Sequence, residues 1–195
     1  MPRKVQFSRE MIIDAAIEMI REQGSESINA RDLGLRIGSS SRPLFTAFRN
    51  MNELLAAVRA EASERFLRYM KVAEETDNGE PVSKRMGLRI VQFAYEEPNL
   101  YKFIHWSGGT MPDVAALSEI MAVQYMRDYQ LTHDEALVFF RQMMIFSLGL
   151  CSMITHRVYK FSSDEIEYLL STQFEATLAH FKKNGCNTKS KGDTL

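Results

Sequence analysis

Residues that interrupt helices are scarce in this chain. Among 195 residues there are only ten glycines and five prolines. The alternation of apolar and polar residues that marks a half-buried strand appears nowhere over a useful length. Leu, Ala, Met, Glu and Arg, which are common in helices, are abundant instead. The sequence therefore predicts an all-α protein.

Cysteine and clustered histidine are also lacking. Cys151 lies in an apolar run and Cys186 in a polar tail, so the two thiols form neither a disulfide framework nor a zinc-ligand spacing. The four histidines lie on separate predicted helices without matched carboxylate or cysteine spacing. No phosphate-binding loop or nucleophile motif is present. We expect no metal, no cofactor and no enzyme activity.

The chain has little net charge and no long apolar run. Its formal charge is −1, although residues 1–50 carry eight Lys/Arg against six Asp/Glu. That asymmetry permits DNA binding at the N-terminal end without arguing for it. The N-terminus has no signal-peptide core, and the longest apolar candidate, Met143–Ile154, falls short of the roughly 18 residues that a membrane span needs. We expect a cytoplasmic protein with no membrane segment.

Capping signals divide the first 75 residues into four helices. Ser8 can cap the first helix, and Gly24 stands where its C-terminal cap belongs. Asn29, with Asp32 three residues later, opens a short second helix. Serines after Gly38 form a turn and offer caps for a third helix, predicted over 40–48. A long helix follows, predicted over 50–75.

Two glycines give the second and third helices the features of a helix-turn-helix. Gly34 supplies the small residue that is needed where the two helices cross closely, and Gly38 supplies a turn residue that tolerates unusual backbone angles. Apolar residues then fix the helices to their support: Leu33, Ile37, Leu44 and Phe48. On these signals alone, a helix-turn-helix and two short helices of an ordinary bundle remain alternatives.

The segment Ile12–Val58 resembles the tetracycline-repressor (TetR/AcrR) family of transcriptional regulators. It shares an Ala-rich first helix ending in Gly, a capped helix with an R-D-L element, a Gly-Ser turn, an L-aromatic-x-x-F helix and a capped helix rich in E-L-L. The resemblance implies a repressor whose third helix enters the major groove of a palindromic double-stranded DNA operator. Phe45 departs from the usual tyrosine, and Ser39 from the usual apolar residue.

The same resemblance suggests which residues meet DNA. Arg42 is the strongest candidate base reader, because a guanidinium binds the O6/N7 edge of guanine; a phosphate clamp is its alternative role. The full predicted set is Asn29, Arg31, Ser40, Ser41, Arg42, Pro43, Phe45, Thr46 and Asn50.

Five further helices are predicted over 82–96, 98–107, 112–129, 133–158 and 163–183. The domains expected are 1–50 for DNA binding, 51–183 for ligand binding and dimerisation, and 184–195 as a flexible tail. The resemblance implies that the last two helices pair with those of a second subunit; a purely intramolecular core is the alternative. The interface residues expected are Phe146, Gly149, Met153, Phe174 and Leu178.

The middle helices are rich in aromatic residues and methionine, which line adaptable apolar pockets and ordinary cores alike. We expect a small apolar or aromatic effector. The predicted ligand residues are Tyr95, Tyr101, His105, Trp106, Met121, Tyr125 and Met143. The altered Phe45 and Ser39 keep a second hypothesis open, a helical small-molecule binding protein whose N-terminal motif no longer binds DNA.

Overall fold

The structure, a computed structural model, describes residues 7–75, 79–106 and 114–184. In these ranges the chain is helical, with one short 3₁₀ turn at Ser25–Ser27 and no strand, which confirms the all-α prediction. The helices are α1 Arg9–Gln23, α2 Ala30–Arg36, α3 Arg42–Ala47, α4 Met51–Glu75, α5 Val82–Glu96, α6 Pro98–His105, α7 Val114–Tyr129, α8 His133–Thr155 and α9 Ser163–Asn184.

The chain divides into two compact units. The first comprises Met1–Lys71 with Phe93–Thr110, and the second comprises Val72–Gln92 with Met111–Leu195. The first unit is larger than the 1–50 domain expected from the sequence, because most of α4 and all of α6 belong to it. The predicted tail and the basic residues near the N-terminus lie outside the described residues.

The first unit is organised around α1. The Ser8 hydroxyl accepts a hydrogen bond from the Met11 amide at 3.2 Å, and Gly24, with φ of 89°, ends the helix as predicted. The apolar face of α1 includes Ile12, Ile17 and Ile20, which are fully buried. Burial of each such side chain contributes roughly 1.5–3 kcal/mol, so this face alone anchors the neighbouring helices.

Polar contacts fix α6 against α1 in the same unit. Arg21 of α1 forms an ion pair with Glu97, the residue before α6, with Nε and Oε2 2.9 Å apart. The Asn99 amide donates to the Arg21 carbonyl oxygen at 2.9 Å. The first turn of α6 is therefore held at the C-terminal end of α1.

The second unit has an aromatic core between α7, α8 and α9. Phe139 lies at its centre, with ring centroids 4.8 Å from Tyr125 and 5.0 Å from Phe174. Thr132 and Glu135 form a capping box that starts α8. The inner faces of these three helices therefore form a core within one chain, as the intramolecular alternative predicts.

Helix α8 is apolar on more than its inner face. By length and composition alone it could cross a membrane, with a mean hydropathy of 1.7 over 18 residues, but a long core helix passes the same test. Only 33% of that window is buried by the rest of the chain. Much of its apolar surface therefore lacks cover within one copy of the protein.

Candidate DNA interface and ligand cavity

The turn between α2 and α3 depends on both predicted glycines. A Cβ atom on Gly34 would lie 2.7 Å from the Ser40 carbonyl carbon and 2.8 Å from the Ser41 amide nitrogen. No side chain fits there without moving backbone. Gly38 has φ of 73°, a left-handed conformation that favours glycine. The close crossing and the unusual turn residue that the sequence predicted are both present.

Helix α3 is shorter than expected and begins at Arg42 rather than at Ser40. Ser41 is its N-cap residue, and the Ser40 hydroxyl accepts a hydrogen bond from the Arg42 amide at 3.3 Å. Leu44 and Phe48 are buried and hold α3 to its support. This packing fixes which side of α3 faces solvent.

The solvent face of α3 carries most of the predicted base readers. Arg42, Phe45 and Thr46 are exposed, as is Ser40 in the turn, whereas Ser41 and Pro43 are half-buried. Within the described part of the chain Arg42 has no ion pair or hydrogen bond from its guanidinium. The Thr46 hydroxyl already donates to the Arg42 carbonyl oxygen at 3.1 Å. Arg42 therefore presents its donors to whatever meets this face.

Two predicted phosphate ligands are helix caps. The Asn29 side chain accepts from the Asp32 amide at 2.9 Å and donates to the Asp32 carboxylate at 2.7 Å. Asn50 accepts from the Glu53 amide at 2.9 Å. These bonds occupy the Asn29 side chain at both ends and leave only the NH₂ group of Asn50 for a phosphate. Arg31 is exposed at the start of α2.

Sequence reasoning missed Arg9, which holds the far end of α3. Its guanidinium donates to the Ala47 carbonyl oxygen, lies 4.1 Å from the Phe48 ring centroid and reaches the Glu53 carboxylate at 3.3 Å. The residues it contacts are about 40 positions away, so no local pattern could reveal the role. Arg9 thus ties α1, the end of α3 and the start of α4 together.

Arg49 was also missed. Its side chain is 93% exposed between α3 and α4, and its backbone amide is bound by the Glu53 carboxylate at 2.8 Å. Its Nε lies 4.0 Å from Glu53 Oε2, and a guanidinium this exposed can still contact a phosphate beside the recognition helix. Its position directly before the Asn50 cap is the sequence signal that could have identified it.

The second unit contains a small cavity of about 30 Å³ between α5, α7, α8 and α9. Of the predicted ligand residues, Tyr125 and Met143 line it, and Met121 lies in the adjoining core. The other lining residues are Ser83, Lys84, Gly87, Leu88, Ser147, Leu170, Ser171 and Phe174. Burial raises the pKa of Tyr125, with the neighbouring Tyr129 adding to the effect.

The remaining predicted ligand residues belong to the first unit and do not line this cavity. Tyr101 is buried, and its ring lies 4.4 Å from that of His105, which also contacts Phe66 at 5.2 Å. Burial lowers the pKa of His105. Tyr95 and Trp106 are exposed. Tyr101 is therefore a core residue, whereas His105 is half-buried and its Nε2 is buried without a hydrogen bond among the described residues.

The predicted interface residues fall into two groups. Gly149 and Met153 are exposed, and Phe146 and Leu178 are partly buried. Phe174 is buried against Phe139 and Tyr129, and it also lines the cavity. The expectation for Phe174 is corrected accordingly, since its side chain does not reach the surface that a second subunit would contact.

Comparison with known proteins gives a family match for the N-terminal helices. Residues 12–58 match the family model for bacterial regulatory proteins of the tetR family. Over 94 residues the chain is 30% identical to the HTH-type nicotine-responsive transcriptional repressor HdnoR of Paenarthrobacter nicotinovorans, an alignment that covers 47% of this chain and 48% of the repressor. The chain thus matches about half the length of this curated relative.

Two crystal structures align along most of the chain. One is that of a proposed transcriptional regulator from Streptomyces coelicolor A3(2), with 20% identity, 93% of this chain and 98% of the other covered, and a TM-score of 0.48. The other is AmtR of Mycobacterium smegmatis, with 15% identity, 89% and 97% covered, and a TM-score of 0.41. Over residues 12–58, which contain the helix-turn-helix, the chain is therefore similar to bacterial regulatory proteins of the tetR family.

Proposed function

We propose that this chain is a DNA-binding transcription regulator that reads its operator with α3. The observation that carries the proposal is Arg42, exposed at the first residue of α3 with no partner for its guanidinium in the described part of the chain. A guanidinium at the N-terminal end of a recognition helix can bind guanine O6 and N7 in the major groove. The Gly34–Gly38 turn and the Arg9 contacts support the presentation of α3.

We propose that the regulator is a repressor in the cytoplasm, relieved by a small effector. The repressor HdnoR, with which the chain shares 94 aligned residues, is named as nicotine-responsive. The cavity in the second unit, with apolar walls and serine hydroxyls, supports an effector site there. The effector of this chain need not be the compound to which that relative responds.

We propose a homodimer formed by the outer faces of α8 and α9. Ile145, Gly149 and Met153 follow one another at intervals of four residues on α8, and Ile145 is 64% exposed. Tyr168 of α9 is 70% exposed. A Cβ atom on Gly149 would meet none of the described residues within 4 Å, so this face has room for a partner helix. Contiguous apolar surface of this kind marks a contact with another protein.

The dimer gives a geometric reason for a palindromic operator. Two recognition helices on one face of the duplex must stand about one turn, ~34 Å, apart, and two-fold symmetry supplies that repeat. An apolar helix such as α8 could instead span a membrane. Its capped ends and its buried inner face favour the dimer.

A mobility-shift assay with the DNA around the protein's own gene tests the function. We expect a specific complex that survives competitor DNA and is lost in Arg42→Ala. Lys160→Ala, which removes one exposed positive charge from the second unit, is the matched control and should bind as the parent does. Failure of the parent protein to select any DNA would instead favour the small-molecule binding protein.

A further inference from the structure

Buried polar groups without partners gather beside the cavity of the second unit. In the described part of the chain four side-chain polar atoms are buried without a hydrogen bond, and three of them belong to this unit: Ser83 Oγ, Asp128 Oδ2 and Tyr129 Oη. Native proteins satisfy nearly all such groups, since a buried polar atom has lost its water. Ser83 Oγ, whose residue lines the cavity, is the one of the three that a molecule in the cavity could reach.

Ser83 connects these groups to the cavity. It is 3% exposed and lines the cavity wall. Tyr129 packs behind the same wall, with its ring 5.3 Å from Phe174 and 6.2 Å from Tyr125, both of which line the cavity. The Ser83 hydroxyl lies near the Tyr129 phenol and lowers its pKa, which opposes the larger effect of burial.

The polar end of the cavity has an acidic character. Burial raises the pKa of the Tyr129 phenol, and the carboxylates of Asp128 and Glu80 raise it further. The nearby cations are engaged: Lys84 Nζ lies 2.7 Å from Glu80, and Arg127 Nε lies 3.0 Å from Asp128 Oδ1. Arg85 donates to the Glu80 carbonyl oxygen. Because Lys84, which lines the cavity, is already paired with Glu80, a bound anion would have to compete with that carboxylate, whereas a hydrogen-bond donor would meet the Ser83 oxygen.

The rest of the cavity suits a flat apolar body. Tyr125 and Phe174 supply aromatic walls, and Leu88, Met143 and Leu170 supply aliphatic ones. At about 30 Å³ the cavity holds roughly two waters, whereas a benzene-sized ring needs on the order of 150 Å³. Unbranched Met143 and the leucines can swing aside, so entry of a ring would widen the cavity. Gly87 leaves open space on the α5 side.

We propose that this cavity binds a small aromatic molecule carrying a hydroxyl or amine that donates a hydrogen bond to the Ser83 end, and that it rejects the corresponding anions. This rests on the proposed function, because the molecule would be the effector of the regulator. The ring lies between Tyr125 and Phe174, and the donor meets the acceptor oxygen of Ser83.

Three probes that share one ring test the head group: benzyl alcohol, benzylamine and benzoate. Each is added at the same millimolar concentration to the full chain, and binding is followed by the shift in melting temperature and by ligand-observed NMR. We expect benzyl alcohol and benzylamine to bind and benzoate not to bind. Equal or stronger binding of benzoate, or binding of none of the three, overturns the proposal.

Two variants place the probes in this cavity. Ser83→Ala removes the acceptor and should raise the Kd of benzyl alcohol about three- to ten-fold. Gly87→Leu fills the open space without a clash at its Cβ, adds helix propensity and should abolish binding of both donor probes. Unchanged binding in Gly87→Leu, with its helical circular dichroism retained, would place the probes elsewhere and contradict the proposal.

Operator binding without any probe separates this inference from the proposed function. Both variants leave α3 untouched, so each should bind the operator as the parent does. A parent that selects no DNA refutes the regulator, whatever the probes do. A parent that binds its operator but prefers benzoate refutes only the effector class.

Discussion

The guanidinium of Arg59 lies over the ring of Phe103, with its central carbon 4.2 Å from the ring centroid, and donates a hydrogen bond to the Phe103 carbonyl oxygen. Phe103 stands in the last turn of α6, where carbonyl groups have no partner within the helix. One side chain of α4 therefore caps α6 and packs on it. Burial lowers the pKa of Arg59, which nevertheless stays charged at neutral pH.

We predict that Arg59→Ala destabilises the protein by about 1–3 kcal/mol, because it removes a charge-assisted hydrogen bond together with a cation–π contact. Urea unfolding followed by circular dichroism measures the change. Arg68→Ala, which removes an exposed partner of Glu61, is the control and should cost less than about 1 kcal/mol. If Arg59→Ala lowers the free energy of unfolding no more than Arg68→Ala does, then the contact of Arg59 with α6 adds no more stability than an exposed ion pair.

Arg9→Ala should weaken operator binding without unfolding the chain. The substitution removes the hydrogen bond to Ala47 and the packing on Phe48, so the end of α3 loses its fixed position. We expect a loss of roughly 0.5–1.5 kcal/mol in operator affinity, the net contribution of a typical hydrogen bond. Titration by fluorescence anisotropy measures it.

Arg68→Ala again serves as the control for a lost arginine, since its side chain lies away from α3 on α4. If Arg9 acts only through its charge, Arg9→Lys should restore affinity fully. Full restoration would contradict the positioning role, since an ammonium group lacks the planar fork that reaches both the Ala47 carbonyl and the Glu53 carboxylate.

Gly149→Leu should shift the protein from dimer to monomer. Its Cβ would meet none of the described residues of the same chain within 4 Å, so the isolated fold should tolerate the side chain and gain helix propensity. A partner helix packed on this face would be displaced. Sedimentation velocity at micromolar concentration reports the mass, and circular dichroism reports the retained helix. An unchanged dimer would remove this face of α8 from the interface.

His105 should make stability depend on pH below neutrality. Burial lowers the pKa of His105 from 6.5 in the folded chain, so the unfolded chain binds more protons between the two pKa values. Stability is therefore greatest above the unfolded pKa and falls as the pH drops from about 6.5 toward the folded value. His105→Phe should flatten urea midpoints measured between about pH 5 and 7.

His133 provides the opposite case as a control. The Glu119 carboxylate, 2.8 Å from its Nε2, raises the pKa of this exposed imidazole. Its stabilising contribution is present at low pH and is lost as the pH rises through the raised pKa. His133→Gln should therefore act in the opposite pH direction. A parent protein whose midpoint rises on acidification would contradict the assignment of His105.

Features that depend on neighbouring residues could be predicted from the sequence, and contacts between residues far apart in the chain could not. Gly34 and Gly38 were recognised because a close crossing and a left-handed turn restrict the residue type at one position. Phe174 was misplaced because an apolar residue at helical spacing fits an interface and a core equally well. Arg9 was missed because its partners lie across the fold.

The ligand residues show the same limit. Tyr125 and Met143 line the cavity, whereas Tyr101 and His105 pack in the first unit. Aromatic content alone cannot predict which of these places a residue occupies. Ser83, the buried hydroxyl on which the effector proposal depends, carries no distinguishing pattern in the sequence. Only its burial without a hydrogen-bond partner among the described residues distinguishes it.

The base preference of Arg42→Ala against an operator library, at fixed salt, tests the central claim most directly. If Arg42 reads guanine, the variant loses preference at one position of each half-site, worth about 1–3 kcal/mol, and approaches its own non-specific affinity. The melting temperature must match the parent's, so that a collapsed α3 does not imitate the result. An unchanged base preference, with affinity lowered equally on every sequence, would make Arg42 a phosphate clamp and contradict the account.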